Sequence, residues 1–259
     1  MKVLFIGDVV GGPGRRGLKA AMPGLREQHR PDLVIVNGEN SAGGMGITEK
    51  TAEALLEAGG DVITTGNHVY RHREAYEFLD RAERVIRPAN YPHANPGRGF
   101  VVVEAAGMRV AVINLSGAIG LQVARLPFHE VDAILDRVEA DCAIVDFHAE
   151  VSSEKVAIGW HLDGRVAAVF GTHTHVPTAD ARVLPGGTAF ISDVGMTGSR
   201  TSVLGVKPEP VLKAMTTQMP VKFETAEDDV WVMGAVAEVN AAGLADSIEQ
   251  VMVPAPVNS

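Results

Sequence analysis

Apolar and polar residues alternate along this chain in two kinds of short block. Continuous apolar runs of strand length, such as Val3–Ile6 and Leu33–Val36, are typical of sheet strands covered on both faces. Between such runs lie stretches with apolar residues at spacings of three and four, for example Ala54, Leu55 and Ala58. These stretches predict amphipathic helices, so the first half of the chain reads as alternating strand and helix.

The rhythm changes later in the chain. Phe100–Ala105 and Met108–Leu115 flank Ala106-Gly107, which predicts an antiparallel hairpin. Two further strands are predicted near the C-terminus, over Val230–Asn240 and Ser247–Val253. Some strands are thus predicted to alternate with helices, and others to form hairpins. This mixture indicates an α/β fold with two packed mixed sheets and helices outside.

No repeat or long linker divides the chain, and we expect a single domain over residues 1–259. One segment, at about 193–229, is insertion-like: it is Gly-rich at first and then predicts a helix over Glu209–Thr217. A lid or a partner surface is the role we expect for it.

Charge and composition narrow the class of protein. The chain of 259 residues has a net charge of −9, which argues against a broad surface for long nucleic acid. Its apolar runs fall far short of the roughly 20 residues of a membrane span, so no membrane partner is expected. The N-terminus lacks the features of a signal peptide, which predicts a cytoplasmic protein. The sequence leaves a homo-oligomer open.

The apolar strands share one feature: most are followed by a side chain that can bind a metal. In α/β folds ligands bind at the carboxyl ends of the strands, where such side chains converge. The residues concerned are Asp8, Glu39, Asn40, Asn67, His148, His173 and His175. This set combines carboxylate, amide and imidazole donors without a thiolate, which suits two ions such as Fe, Mn or Zn. Two-metal sites of this kind support displacement at phosphorus.

Two other interpretations compete. Gly12, Gly14 and Gly17 fit G-x-G-x-x-G after a strand, the pattern of a dinucleotide-binding oxidoreductase, in which Glu39 would bind the ribose. That interpretation places Asp8 against the pyrophosphate and leaves the three histidines after the later strands unexplained. A non-catalytic regulatory or RNA-associated protein with a structural metal is the other alternative, although such sites usually hold one tetrahedral ion.

The order of these motifs resembles the calcineurin-like metallophosphoesterase superfamily. More narrowly, the chain resembles the bacterial YmdB-type branch of 2′,3′-cyclic-nucleotide 2′-phosphodiesterases through the motifs GDVVG, NGEN, GNHVY, DFHAE, GTHTHVPTAD and SDVGMTG. The resemblance covers essentially the whole chain. It implies a four-layer α/β/β/α sandwich of two mixed sheets with outer helices.

The sequence departs from the common superfamily pattern at two places, and the branch pattern accounts for both. Val10 stands where many members have a ligand histidine, and Glu39-Asn40 replaces the usual bridging aspartate motif. The resemblance implies that one ion is held by Asp8, Glu39, Asn40 and His175. It implies that the other is held by Glu39, Asn67, His148 and His173.

The resemblance also implies a reaction. A hydroxide held by two transition-metal ions, iron foremost with Mn or Zn open, attacks a small cyclic phosphodiester to give a 3′-phosphonucleotide. His68 would protonate the departing 2′-oxygen, a role that suits an imidazole near pH 7. A phosphomonoesterase of the same superfamily is the alternative within this class.

Overall fold

The computed structural model of the protein describes residues 1–256, in which two β-sheets pack face to face between helices. The strands are β1 (Lys2–Ile6), β2 (Asp8–Val9), β3 (Leu33–Asn37), β4 (Val62–Thr64), β5 (Phe100–Ala105), β6 (Met108–Ser116), β7 (Cys142–His148), β8 (Ala168–Thr172), β9 (Arg182–Val183), β10 (Ala189–Ile191), β11 (Met196–Ser199), β12 (Val230–Val239) and β13 (Ala245–Pro254). The helices are α1 (Gly11–His29), α2 (Glu49–Glu57), α3 (Ala75–Arg81), α4 (Pro127–Leu135), α5 (Ser152–Leu162) and α6 (Pro208–Thr217).

Both sheets are mixed, as predicted. The first has the order β2-β11-β12-β1-β3-β4, with β13 paired to β12, and its strands β1, β3 and β4 are parallel. The second has the order β5-β6-β7-β8-β10-β9, and its central strands β6, β7, β8 and β10 are parallel. The parallel strands place their carboxyl ends at one edge of each sheet.

Alternation along each strand divides the core into layers. In β1, Val3 and Phe5 join the cluster between the two sheets, whereas Leu4 and Ile6 join the cluster that includes apolar residues of α1 and α2. Phe5 stacks on Phe170 of the facing sheet with ring centroids 4.7 Å apart. A third cluster packs the outer face of the second sheet against α4 and α5. The expected four-layer α/β/β/α sandwich is therefore confirmed.

The glycines of the G-x-G-x-x-G pattern lie inside α1, where two of them allow close packing. A Cβ on Gly14 would lie 2.4 Å from the carbonyl oxygen of Thr197, and one on Gly17 would lie 2.5 Å from a methyl of Val230. These glycines bring α1 against β11 and β12, so helix packing accounts for them without a dinucleotide.

The segment at about 193–229 combines a buried strand with an outer helix. Its strand β11 is buried throughout and pairs with both β2 and β12. In α6, by contrast, Leu212 and Met215 are exposed. A lid or partner role for this segment stays a prediction, and residues 257–259 of the expected domain lie outside the described residues. Within residues 1–256, no helix combines the length and the apolar character that crossing a bilayer requires.

Candidate metal centre

The strand ends of both sheets bring polar side chains to one buried cluster. Asp8 follows β1, Glu39 follows β3 and Asn67 follows β4, all in the first sheet. In the second sheet, His148 is the last residue of β7 and His173 comes directly after β8. The convergence expected from the sequence is therefore present.

His148 lies at the centre of the first group of ligand atoms. Its Nε2 is 3.2 Å from Glu39 Oε1, 3.0 Å from Asn67 Oδ1 and 3.0 Å from His173 Nδ1. Glu39, His148 and His173 offer ligand atoms that all lie within 4.8 Å of one another. One ring nitrogen carries at most one proton and cannot satisfy three neighbours, whereas a cation among these atoms can.

A second group lies on the other side of Glu39. His175 Nε2 is 3.7 Å from Asp8 Oδ1 and 3.0 Å from Asn40 Nδ2. Asp8 is fully buried, and its Oδ1 has no hydrogen-bond partner among residues 1–256. A buried carboxylate oxygen without a partner is costly, so this atom fits a bound cation.

Asn40 is the predicted ligand that fits this group least well. Its Nδ2 faces Glu39 Oε1 at 3.2 Å and His175, while its Oδ1 faces His68 Nδ1 at 3.1 Å. Only the oxygen of an amide binds a metal, so Asn40 would become a ligand beside His175 after its amide turns over by 180°.

Hydrogen bonds behind the cluster orient the two central histidines. Thr172 Oγ1 donates to Asp146 Oδ1 at 2.7 Å and therefore accepts from His148 Nδ1, which lies 2.9 Å away. That arrangement turns the lone pair of Nε2 towards the cluster. His173 is oriented similarly, since its Nε2 lies 2.9 Å from Glu150 Oε2 while Nδ1 faces His148.

The electrostatics of the cluster favour a positive charge. Burial raises the pKa of Asp8, and it also opposes ionisation of Glu39. The charge and hydrogen bond of His148 nevertheless hold the pKa of Glu39 well below its usual range. Burial opposes a charge on His148 too, but Glu39 outweighs it and raises that pKa to about 9. Burial and then the charge on His148 lower the pKa of His173 to about 3.

The loop that carries His173 and His175 is anchored by a buried ion pair. Lys155 Nζ donates to Asp193 Oδ2 at 2.6 Å and to the carbonyl oxygen of Thr172 at 2.7 Å. The same Asp193 oxygen accepts from the amide of Thr174 at 3.1 Å and from its hydroxyl at 2.7 Å. These bonds hold a loop in which His173 and His175 have φ values of 95° and 65°.

The residues that support the site were not predicted from the sequence, although two signals were available. Asp146 is a carboxylate inside an otherwise apolar strand, and Lys155 is a lysine on the buried side of α5. A buried charge in either setting requires a partner, so each marks a polar network.

His68 occupies the edge of the centre and is partly exposed. Its Nδ1 lies 3.2 Å from Glu39 Oε1 and 3.1 Å from Asn40 Oδ1. Its backbone amide donates to Glu39 Oε2 at 3.2 Å, and 30% of its side chain is exposed. With Nδ1 directed inward, Nε2 on the far side of the ring is the nitrogen that can reach a ligand in the cleft.

Known proteins are similar to this chain in sequence and in fold over nearly their whole length. A 2′,3′-cyclic-nucleotide 2′-phosphodiesterase of Bacillus subtilis is 45% identical over 242 residues, which cover 93% of this chain and 92% of the relative. A hypothetical protein from Thermus thermophilus, whose crystal structure is known, superposes with a TM-score of 0.94 at 41% identity, covering 99% of this chain and all of that one.

A crystal structure described as a novel phosphatase from Mycoplasma pneumoniae superposes with a TM-score of 0.93 at 34% identity. That match covers 98% of this chain and 93% of the other. The family described as YmdB-like protein matches residues 4–251. The resemblance stated from the motifs is therefore confirmed, and the chain belongs to the YmdB-like protein family.

Proposed function

We propose that this protein is a metal-dependent phosphodiesterase that hydrolyses 2′,3′-cyclic nucleotides to 3′-phosphonucleotides. The observation that carries the proposal is the cluster of carboxylate, amide and imidazole atoms around Glu39 and His148. Beside it lies an oxygen of Asp8 that has no hydrogen-bond partner among residues 1–256. The name of the Bacillus subtilis relative supports the cyclic substrate. Iron, manganese and zinc all suit these donors.

The proposed ligands form two sets that share Glu39. One set consists of Asp8, Glu39, Asn40 and His175, and the other of Glu39, Asn67, His148 and His173. Ions bound there would supply Lewis acidity that activates water and offsets the charge on the phosphate. The network of Asp146 and Thr172 keeps the Nε2 lone pair of His148 directed at the cluster.

His68 has the geometry of the proton donor. Its Nδ1 donates to Glu39 Oε1, so the second proton of the imidazolium form, on Nε2, is held towards the cleft. In the reaction the water oxygen bonds to phosphorus, the P–O2′ bond breaks, and His68 gives its Nε2 proton to the departing O2′. The phosphate stays on O3′, and the proton of the water leaves through solvent.

The test measures metal and products together. Purified protein should contain about two equivalents of transition metal, and it should convert 2′,3′-cyclic AMP to 3′-AMP identified by chromatography. The same preparation is assayed with 3′-AMP, because a phosphomonoesterase would continue to adenosine, as the phosphatase name of the Mycoplasma relative favours. Metal-loaded protein that hydrolyses neither compound would overturn the proposal in favour of a non-catalytic role.

Two histidine-to-alanine variants test the role of His68 as proton donor. His68→Ala should retain metal and slow turnover of 2′,3′-cyclic AMP by about 10²–10⁴-fold, with a smaller loss on bis-p-nitrophenyl phosphate, whose leaving group needs no proton. His129→Ala is the control, since His129 is an exposed residue of α4. Equal losses on both substrates would contradict the assignment of His68.

A further inference from the structure

A cavity of about 600 Å³ opens directly beside the candidate metal centre. Asn67, a proposed ligand, forms part of its wall, so any molecule bound in the cavity lies next to the cluster. Its remaining walls include Tyr70, Tyr91, Asn95 and the segment 120–124. The volume falls within the range of roughly 300–1,000 Å³ typical of small-ligand sites.

The chemistry of this cavity is neutral and aromatic. Within residues 1–256, its lining contains no Lys, Arg, His, Asp or Glu, although the full sequence carries 23 Lys and Arg and 32 Asp and Glu. Tyr70 and Tyr91 lie with ring centroids 6.2 Å apart, and the Tyr70 hydroxyl donates to the carbonyl oxygen of Pro96 at 2.7 Å. Asn95 and Gln122 add amide groups, each of which can both donate and accept hydrogen bonds.

The wall at 120–124 is tied down at both ends, although it belongs to no helix or strand. Before it, the amide of Ala118 donates to Glu154 Oε1 at 2.8 Å. At its end, the amide of Ala124 donates to the carbonyl oxygen of Asn90 at 3.0 Å. Glu154 and Asn90 are themselves buried, so the cavity is built before a ligand binds.

We propose that this cavity binds the nucleoside part of the substrate, an inference that rests on the proposed function. Tyrosine faces suit stacking on a base, and amides suit hydrogen bonding to base edges or sugar hydroxyls. A longer nucleotide chain would bring further phosphates, for which this lining offers no cation. The nearby Arg125 is already paired with Glu130 Oε2 at 3.3 Å. The geometry therefore points to a mononucleoside substrate, not an oligonucleotide.

Two variants test the cavity without touching the proposed ligands. Ala124→Trp fills the cavity from an exposed position, and Gln122→Ala removes an amide from its wall. Gln28→Ala is the matched control, since Gln28 is exposed on α1 and does not line the cavity. Circular dichroism melting curves identify any variant that fails to fold.

Two readouts are compared. The first is the ratio of kcat/KM for 2′,3′-cyclic AMP to that for ethylene phosphate, a five-membered cyclic diester without a nucleoside. Loss of base contacts in Ala124→Trp should lower this ratio on the order of 10-fold. Gln122→Ala should lower the ratio less, and Gln28→Ala should leave it unchanged. The second is binding of adenosine, guanosine, cytidine and uridine to the purified protein by equilibrium dialysis, which Ala124→Trp should abolish.

The outcomes separate the two proposals. If the wild-type protein binds none of the four nucleosides, or if Ala124→Trp binds them unchanged, the cavity is not a nucleoside site. If nucleosides bind and Ala124→Trp abolishes binding, but neither diester is hydrolysed, the cavity assignment stands and the proposed reaction fails.

Discussion

Among the single residues of the site, Thr172 makes two hydrogen bonds with one hydroxyl. It accepts from His148 Nδ1 at 2.9 Å and donates to Asp146 Oδ1 at 2.7 Å. The buried carboxylate thus reaches the histidine through the threonine, in the manner of the outer partners that orient metal-binding histidines. Asp146 is held in turn by Asn37 Nδ2 at 2.9 Å. The tautomer of His148 therefore depends on a residue that binds no metal itself.

A pair of substitutions at Thr172 tests this role. Thr172→Val keeps the shape but removes the hydroxyl, and we expect metal affinity to fall about 10–100-fold because His148 loses its fixed tautomer. Thr172→Ser keeps both hydrogen bonds and should stay close to wild type. Affinity is measured by titrating metal-stripped protein with Mn²⁺. Equal affinity of the two variants would show that the hydroxyl does not orient His148.

Gly66 tests how tightly the cluster is packed. A Cβ at this position would lie 2.2 Å from Glu39 Oε2 and 2.3 Å from His148 Nε2. Gly66→Ala must therefore displace one of these groups, and we expect metal content measured by elemental analysis to fall well below that of the wild type.

Gly24→Ala provides the matched control, because Gly24 is in α1 and, outside its own helix backbone, no atom of residues 1–256 lies within 4 Å of a Cβ there. It should retain full metal content and raise the free energy of unfolding by about 0.5–1 kcal/mol, since alanine favours a helix over glycine. Normal metal content in Gly66→Ala would contradict the close packing at the cluster.

At the scale of elements, the loop after β8 depends on an ion pair between α5 and the segment that follows β10. Both Lys155 and Asp193 are buried, with 3% and 1% of their side chains exposed. Breaking a buried pair on one side leaves an uncompensated charge, which is why single substitutions are expected to cost more than removal of both partners.

A double-mutant cycle measures the coupling between Lys155 and Asp193. Lys155→Met should lower the free energy of unfolding by about 3–5 kcal/mol, and Lys155→Met/Asp193→Asn should lose less than the sum of the two single variants. Urea unfolding provides the measurement. Lys207→Met is the control, because its ion pair with Glu224 is solvent-exposed and should contribute nothing measurable. Additive losses would mean that the pair does not act as a unit.

The local pattern of apolar and polar residues predicts most helices and strands, but not the strands that depend on contacts with distant parts of the chain. The predicted strand Phe100–Ala105 coincides with β5, and the predicted helix Glu209–Thr217 differs from α6 by one residue, because apolar runs and helical spacing are properties of the segment itself. Strands β2 and β11 were missed, since strands of two and four residues acquire their identity from pairing with each other and with β12. Helix α1 begins at Gly11 and includes the three glycines of the G-x-G-x-x-G pattern, because packing against β11 and β12 overrides their poor helix propensity.

The candidate site likewise combines residues that local sequence predicts with contacts that it does not predict. Five site residues could be predicted, because each lies at or after the end of an apolar strand and parallel strands end at one edge: Asp8, Glu39, Asn67, His148 and His173. The supporting contacts of Asp146 and Asp193 could not, since they join residues 26 and 19 positions apart, to Thr172 and Thr174 respectively. No local pattern encodes such pairings.

At the scale of the whole molecule, the candidate centre joins the two sheets. Asp8, Glu39 and Asn67 belong to the strand ends of the first sheet, whereas His148 and His173 belong to the second. Without a cation, buried carboxylates of the first sheet face two imidazoles, and burial together with the charge on His148 lowers the pKa of His173 to about 3. A bound ion would replace that arrangement, because its proposed ligands come from both sheets.

Metal removal should therefore lower the stability of the entire fold, not only of the site. A ligand present at 100 times its Kd stabilises a protein by about 2.7 kcal/mol, which for a domain of this size corresponds to a Tm change of about 5–10 °C. We expect a shift of this size between metal-loaded protein and protein stripped by chelator, measured by calorimetry with metal content verified in each sample. The shift should grow with free metal concentration, because it reflects binding to the folded state alone. In Glu39→Gln, which lacks the shared carboxylate, it should shrink. An unchanged Tm in verified metal-free protein would mean that no cation links the two sheets here.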